Sequence, residues 1–249
     1  MTIYIQPYVR FLCHLHHRPF LSLANFSNPY EGFHQAIAHR IITGGMYFPI
    51  ETGVVELLPQ NMNPFAHNLV AGGVTGSIIA LITNPLSLIK YQSWGTHHKG
   101  RLKSTVLHLW SSGGFAPFTR GITVTLVRDI IWGSTFSSLR HAIPPLTGCG
   151  DEHTPGVASF LVNVFAGGVA TFISSPINFV RNMQYGHSPS KPHPSAIKVL
   201  SIAWRESKTA ESPVYHFVVK RLTVGWGTLR VALGIAFSSQ VYDYLISQF

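Results

Sequence analysis

The residues of this chain best placed for chemistry are arginines set in apolar sequence. Arg128 is followed at once by Asp129, and Arg230 and the pair His39-Arg40 lie in comparable surroundings. A charge inside an apolar run faces a bundle interior or a watery cavity and marks a path for a solute or ion. Guanidiniums clustered at mid-depth suit a carboxylate or phosphate, because their planar fork binds such anions with two parallel hydrogen bonds. The bland reading keeps Arg128 paired to Asp129 in a polar core, or against a lipid headgroup or partner protein. Two other arrangements carry less. Cys13, His14, His16 and His17 crowd one stretch, but zinc takes paired ligands from two separated stretches, so no metal is expected. Gly72-Gly73-Val74-Thr75-Gly76-Ser77 lacks the Gly-Lys-Ser/Thr ending of a phosphate loop. Its glycines read as helix packing. No Ser/His/Asp set has a local motif, so neither catalysis nor a cofactor is expected.

The elements that must position these side chains are long and apolar. Of 249 residues, 46% are hydrophobic and only 11% charged, against about 25% charged in an ordinary soluble domain. Mean hydropathy is +0.22. That excludes disorder for most of the chain, and two cysteines exclude a disulfide scaffold. A net charge of +9 on so charge-poor a chain points to an anionic membrane rather than to nucleic acid. Leu57–Ile89 and His153–Val180 hold no formal charge at all. Each is longer than the roughly 20 residues a helix needs to cross a bilayer. Arg40–Leu58, Gly121–Leu139 and Val224–Ile246 are apolar runs with a few isolated charges.

The runs repeat. Gly32, Ile41, Gly44 and Tyr47 align without gaps on Gly121, Ile130, Gly133 and Phe136. Ala71-Gly72-Gly73-Val74, followed by Pro85 and Lys90, echoes Ala166-Gly167-Gly168-Val169, followed by Pro176 and Arg181. A period near 90–100 residues in an apolar chain means stacked helix pairs. Gly72 with Gly76, and Ala166 with Ala170, are small-xxx-small pairs that let helix backbones approach. Pro85 and Pro176 are expected to kink their helices, and Lys90 and Arg181 to snorkel where the helices leave the bilayer.

From about Pro29 to Ile246 this pattern resembles the mitochondrial carrier family. The resemblance implies an all-α membrane protein. Its bundle would have three helix-pair repeats and five or six spanning helices, with the first shortened or missing. The repeats would be residues 1–58, 59–145 and 146–249. It implies a multi-pass protein of the mitochondrial inner membrane with bound cardiolipin. The family signature P-x-[DE]-x-x-[KR] ends each odd helix. Here it reads Pro85-x-Ser87-x-x-Lys90 and Pro176-x-Asn178-x-x-Arg181, both acids replaced. Only six residues precede Pro7, hence the shortened first helix. Tyr30-Glu31-Gly32 and Thr119-Arg120-Gly121 partly match the family's aromatic-[KR]-G at the start of each even helix.

At the opposite gate the family places [FY]-[DE]-x-x-[RK]. Here Glu51 and Asp243 keep the acid, Arg140 stands where the second acid belongs, and Val54, Ile143 and Ile246 replace the cations. Each gate therefore reads as having lost one sign of charge, which removes Coulomb closure. The expectation that follows is a carrier-like protein that does not transport. It would be an accessory subunit whose partners are the subunits of a respiratory-chain complex. The rival expectation is a divergent transporter of a small anion using His39, Arg40, Arg128, Asp129 and Arg230. Anionic lipid is expected at Arg120-Gly121 and at Gly72-Gly73, both read as helix openings with free N–H groups.

Overall fold

The computed structural model describes residues 33–95, 102–147, 156–186, 195–209, 211–222 and 224–248. The readings placed on Cys13, His14, His16, His17, Tyr30-Glu31-Gly32 and the first odd helix lie outside them. The described residues form α1 (Phe33–Leu57), α2 (Pro64–Gly95), α3 (Leu102–Gly113), α4 (Ile122–Thr147), α5 (Val157–Tyr185), α6 (Ala196–Ser207) and α7 (Trp226–Ile246). A 3-10 turn at Ala116–Thr119 precedes α4, and a helical turn at Pro213–Tyr215 runs into a π-helix at His216–Arg221. No strand occurs among the described residues.

The five long helices close into a ring. Each packs on its neighbour in the order α1, α2, α4, α5, α7, and α7 returns to α1. Glycine sets how close the seams come. A Cβ on Gly72 would sit 2.1 Å from the Gly133 carbonyl oxygen, and one on Gly76 would sit 2.1 Å from that of Asp129. So α2 and α4 touch backbone to backbone, the close approach that small residues permit between membrane helices. Gly167 against Ile235 and Ala232 does the same for α5 and α7, and Gly44 against Ser238 for α1 and α7. Pro85 and Pro176 fall inside α2 and α5, which continue as helix through them. A packed membrane helix tolerates this because neighbouring groups satisfy the freed carbonyls.

Tyr47, Phe48, Trp132 and Phe136 fill the centre with Ile79, Ala166, Ala170 and Ile235. Tyr47 and Phe136, which occupy equivalent repeat positions, meet edge to face at 5.7 Å. Outside, Leu81, Ile82, Phe165, Phe172, Phe237 and Val241 are exposed. Contiguous apolar surface of this kind marks a face built for lipid or a partner. Two helical stretches, Pro64–Gln92 and Val157–Tyr185, are long and apolar enough to cross a membrane. Each of the two holds a single cation near its end, Lys90 and Arg181, and the other three long helices carry more charges. This is an all-α, carrier-like membrane fold.

One end of the ring is braced by the short helices. α6 buries Val199, Ala203 and Ser207, four residues apart, and packs on Phe179, Val180 and Met183 of α5. α3 seats Leu109 against Leu88, Phe118 and Tyr185. Between them lies a polar knot. The Asn84 side-chain amide donates to the Phe118 carbonyl (3.0 Å), and its oxygen accepts from the Tyr185 hydroxyl (2.6 Å) and the Thr125 hydroxyl (2.9 Å). Gly121 enters α4 at φ +72°, its α-carbon facing the Tyr185 ring. A side chain there would be strained by the backbone and blocked by the ring.

Candidate functional site

The ring positions two groups of charges. The first ties three helices at one end. Arg140 of α4 reaches Glu51 of α1 (Nη1 to Oε2, 3.5 Å) and Asp243 of α7 (Nη2 to Oδ1, 3.6 Å). All three are buried, with side chains 6%, 6% and 2% exposed. The Arg140 guanidinium also lies 4.7 Å from the centre of the Phe48 ring, a cation–π contact. Asp243 takes a second bond from the Ser239 hydroxyl at 3.1 Å, and Thr52 meets the Tyr242 hydroxyl at 2.9 Å. This corrects the reading that the opposite gate has no cation. Arg140, at the position of a lost acid, is itself the cation, and the acids of the two flanking repeats converge on it. Both signs of charge are present.

The second group lies toward the other end of α2, α4, α5 and α7. Arg128 pairs with Asp129, its neighbour in sequence. Tyr91 of α2 hydrogen-bonds Arg181 of α5, and Arg128 of α4 and Arg230 of α7 lie within electrostatic reach of the same phenol. Asp129 is within electrostatic reach of Arg181. Three guanidiniums thus lie within reach of Tyr91, that of Arg230 exposed, with the Asp129 carboxylate beside Arg128 and within reach of Arg181. The Nε atoms of Arg128 and Arg181 are buried without a hydrogen-bond partner. An orphaned buried donor of this kind is costly unless something accepts from it. The chemistry this set offers is the binding of an anion with several acceptor oxygens.

The individual readings resolve as follows. Arg128, Asp129 and Arg230 come together, and Arg181 joins them although its spacing places it in a gate. Asn178, in the acid position, accepts from Arg181 at 2.7 Å. Ser87 is buried and Lys90 half-buried, each with partners of its own. His39 and Arg40 lie on α1, with side chains outside the described set. Gly72 and Gly73 do not open a helix. They are interior to α2, buried against Gly133 and Ser134, and present no free N–H groups to a headgroup. Gly121 is buried beneath Tyr185, while Arg120 beside it is half-buried and has partners. Among the residues described, no group of three His, Cys, Asp or Glu side chains could hold a metal. Tyr91 has no motif of its own. The signal for it is its place next to Lys90, one position past the signature.

Fold and charges define a class, the carrier-like helical bundle, and comparison with known proteins agrees. Residues 61–142 match the family model for mitochondrial carrier protein. Mitochondrial substrate carrier family protein X of Dictyostelium discoideum is 21% identical over 193 residues, covering 68% of this chain and 62% of that protein. Mitochondrial thiamine pyrophosphate carrier 1 of Meyerozyma guilliermondii is 28% identical over 126 residues, 46% of this chain and 43% of that one. The chain is a mitochondrial-carrier-like protein spanning about two fifths to three fifths of the length of these relatives. Both relatives are named as carriers, which are transport proteins and not enzymes.

Proposed function

We propose that this protein is a divergent carrier. It moves a small anionic solute across the mitochondrial inner membrane as a multi-pass protein, by alternating access. The observation that carries the reading is the gathering of Arg128, Arg181 and Arg230 around Tyr91 from four helices of the ring. Orphaned guanidinium donors beside a single carboxylate leave two positive charges for a phosphate or carboxylate to neutralise. The Glu51–Arg140–Asp243 triad supplies a closable gate beyond that site, because an ion-paired seam can form and separate where an apolar seam would stay shut. The relative named for thiamine pyrophosphate carries a phosphorylated solute by its name, which fits the same chemistry. The accessory-subunit reading rests on the neutral Ser87 and Asn178 and on an incomplete first repeat, whose first helix lies outside the described residues, and the relatives do not support it. For cardiolipin, Arg120 remains the proposed contact in place of Gly72 and Gly73.

The test is ligand protection of the purified protein in detergent. Phosphate, pyrophosphate, nucleotides and dicarboxylates are screened for a saturable rise in unfolding temperature, since a ligand bound only by the native state stabilises it by mass action. At least one anion is expected to protect, and Arg128→Ala and Arg181→Ala are expected to lose that protection. A protein that no anion protects, and that migrates natively inside a large complex, would instead be the accessory subunit.

A further inference from the structure

We infer that the Glu51–Arg140–Asp243 triad is a proton-binding site, with the proton on Glu51, and that Tyr47 links it to the anion site. The inference about linkage rests on the transporter reading, and the one about the proton does not. The triad holds two carboxylates against one guanidinium, all buried. Taken as fully ionised it carries one uncompensated negative charge in a buried place, with the Phe48 ring against Arg140 and the Ser137 hydroxyl near Glu51. A buried charge is strongly disfavoured unless it is paired, so one more positive charge is needed. The oxygens say where it goes. Asp243 uses one oxygen toward Arg140 and the other toward the Ser239 hydroxyl. Glu51 uses Oε2 toward Arg140, whereas its buried Oε1 has no hydrogen-bond partner. One turn earlier on the same helix, the Tyr47 hydroxyl is also buried without a partner. A proton on Glu51 Oε1 turns one of these orphan atoms into a donor and gives the pair charge balance.

The groups around Glu51 offer no other permanent cation, only two histidines. From α1 there is Tyr47, with Glu56 exposed a turn beyond. From α4 there are Arg140 and its neighbour His141, which has partners of its own. From α7 there are Asp243 and Tyr242, the latter bonded to Thr52. At this end of the bundle α2 brings His67, and α5 brings no titratable residue between Val157 and Phe165. Tyr47 lies within electrostatic reach of both Glu51 and Asp129, and Asp129 is the carboxylate of the anion site. A proton that leaves Glu51 therefore has the unpartnered Tyr47 hydroxyl as its intermediate carrier toward Asp129. The O–H bond breaks at Glu51 and an O–H bond forms at Asp129, with no net change of charge over the two groups. Anion and proton would then move together.

Infrared spectroscopy of the purified protein, in detergent without ligand, reads the proton directly. A protonated-carboxyl band is expected near neutral pH and should vanish at high pH. It should be absent in Glu51→Gln, and absent in Asp243→Asn, where one carboxylate matches one arginine. No such band, or a band that survives Glu51→Gln, overturns the proton site and leaves the anion site standing. Linkage is read in liposomes clamped at zero potential, with inorganic phosphate and pyrophosphate as probes. At one proton per negative charge carried, accumulation of a singly charged probe should rise about tenfold per unit of pH gradient. Tyr47→Phe should keep the band and lose the gradient dependence. Uptake indifferent to the gradient overturns the linkage. A band without uptake of either probe supports the proton site and counts against the transport reading.

Discussion

Arg140 decides more than any other single residue. Three helices spend buried carboxylates or a guanidinium on it, so its removal leaves Glu51 and Asp243 facing each other without a cation. Breaking a buried pair in this way costs about 3–5 kcal/mol. Arg140→Leu is expected to lower the unfolding temperature in detergent sharply, and adding Glu51→Gln and Asp243→Asn is expected to recover most of the loss. If Arg140→Leu alone unfolds like the wild type, the triad is not formed. Glycines give a second contrast at this scale. Gly72→Ala would force a methyl group against the Gly133 carbonyl, whereas a Cβ on Gly168 meets nothing within 4 Å. The first should destabilise by about 1–3 kcal/mol, as overpacking does. The second should stay within about 0.5 kcal/mol of the wild type, both read from chemical unfolding in detergent.

Among the elements, the knot around Asn84 joins α2, the 3-10 turn, α4 and α5 through one side chain. Asn84→Leu would strand the Phe118 carbonyl in a buried place, at about 1–3 kcal/mol for the unsatisfied group. Limited proteolysis should then cut the turn at Ala116–Thr119 faster than in the wild type, and unchanged cutting would show that the knot holds nothing. The long helices were legible from the sequence because their signals are local. Runs free of charge, glycine pairs four apart and prolines in register fixed α2 and α5, and the sparse charges fixed α1, α4 and α7. The partnership of Glu51, Arg140 and Asp243 was not legible. It joins residues 89 and 103 positions apart on three helices. A motif scored one position at a time records Arg140 as a missing acid, when its meaning lies in what the flanking helices aim at it. Arg181 was misplaced for a related reason. Its spacing belongs to a gate, but without a carboxylate at position 178 it turns to Asn178 and Tyr91.

For the molecule as a whole, charge and shape agree on transport. The long helices expose apolar side chains, Arg128, Asp129, Glu51, Arg140 and Asp243 turn inward, and the sum of +9 favours an anionic membrane and an anionic cargo alike. The ring gathers guanidiniums toward one end and ties the other end with a seam of opposite charges. A bundle kept only for its shape would have no use for either. Uptake into liposomes therefore decides the matter. Purified protein is reconstituted and offered labelled phosphates, nucleotides and carboxylates one at a time. Saturable uptake of at least one anion is expected, reduced at least about tenfold, roughly the 1.4 kcal/mol worth of one charge-assisted contact, in Arg128→Ala and in Arg181→Ala. Uptake of none of them by protein shown to be folded, or uptake untouched by both substitutions, would contradict the carrier reading.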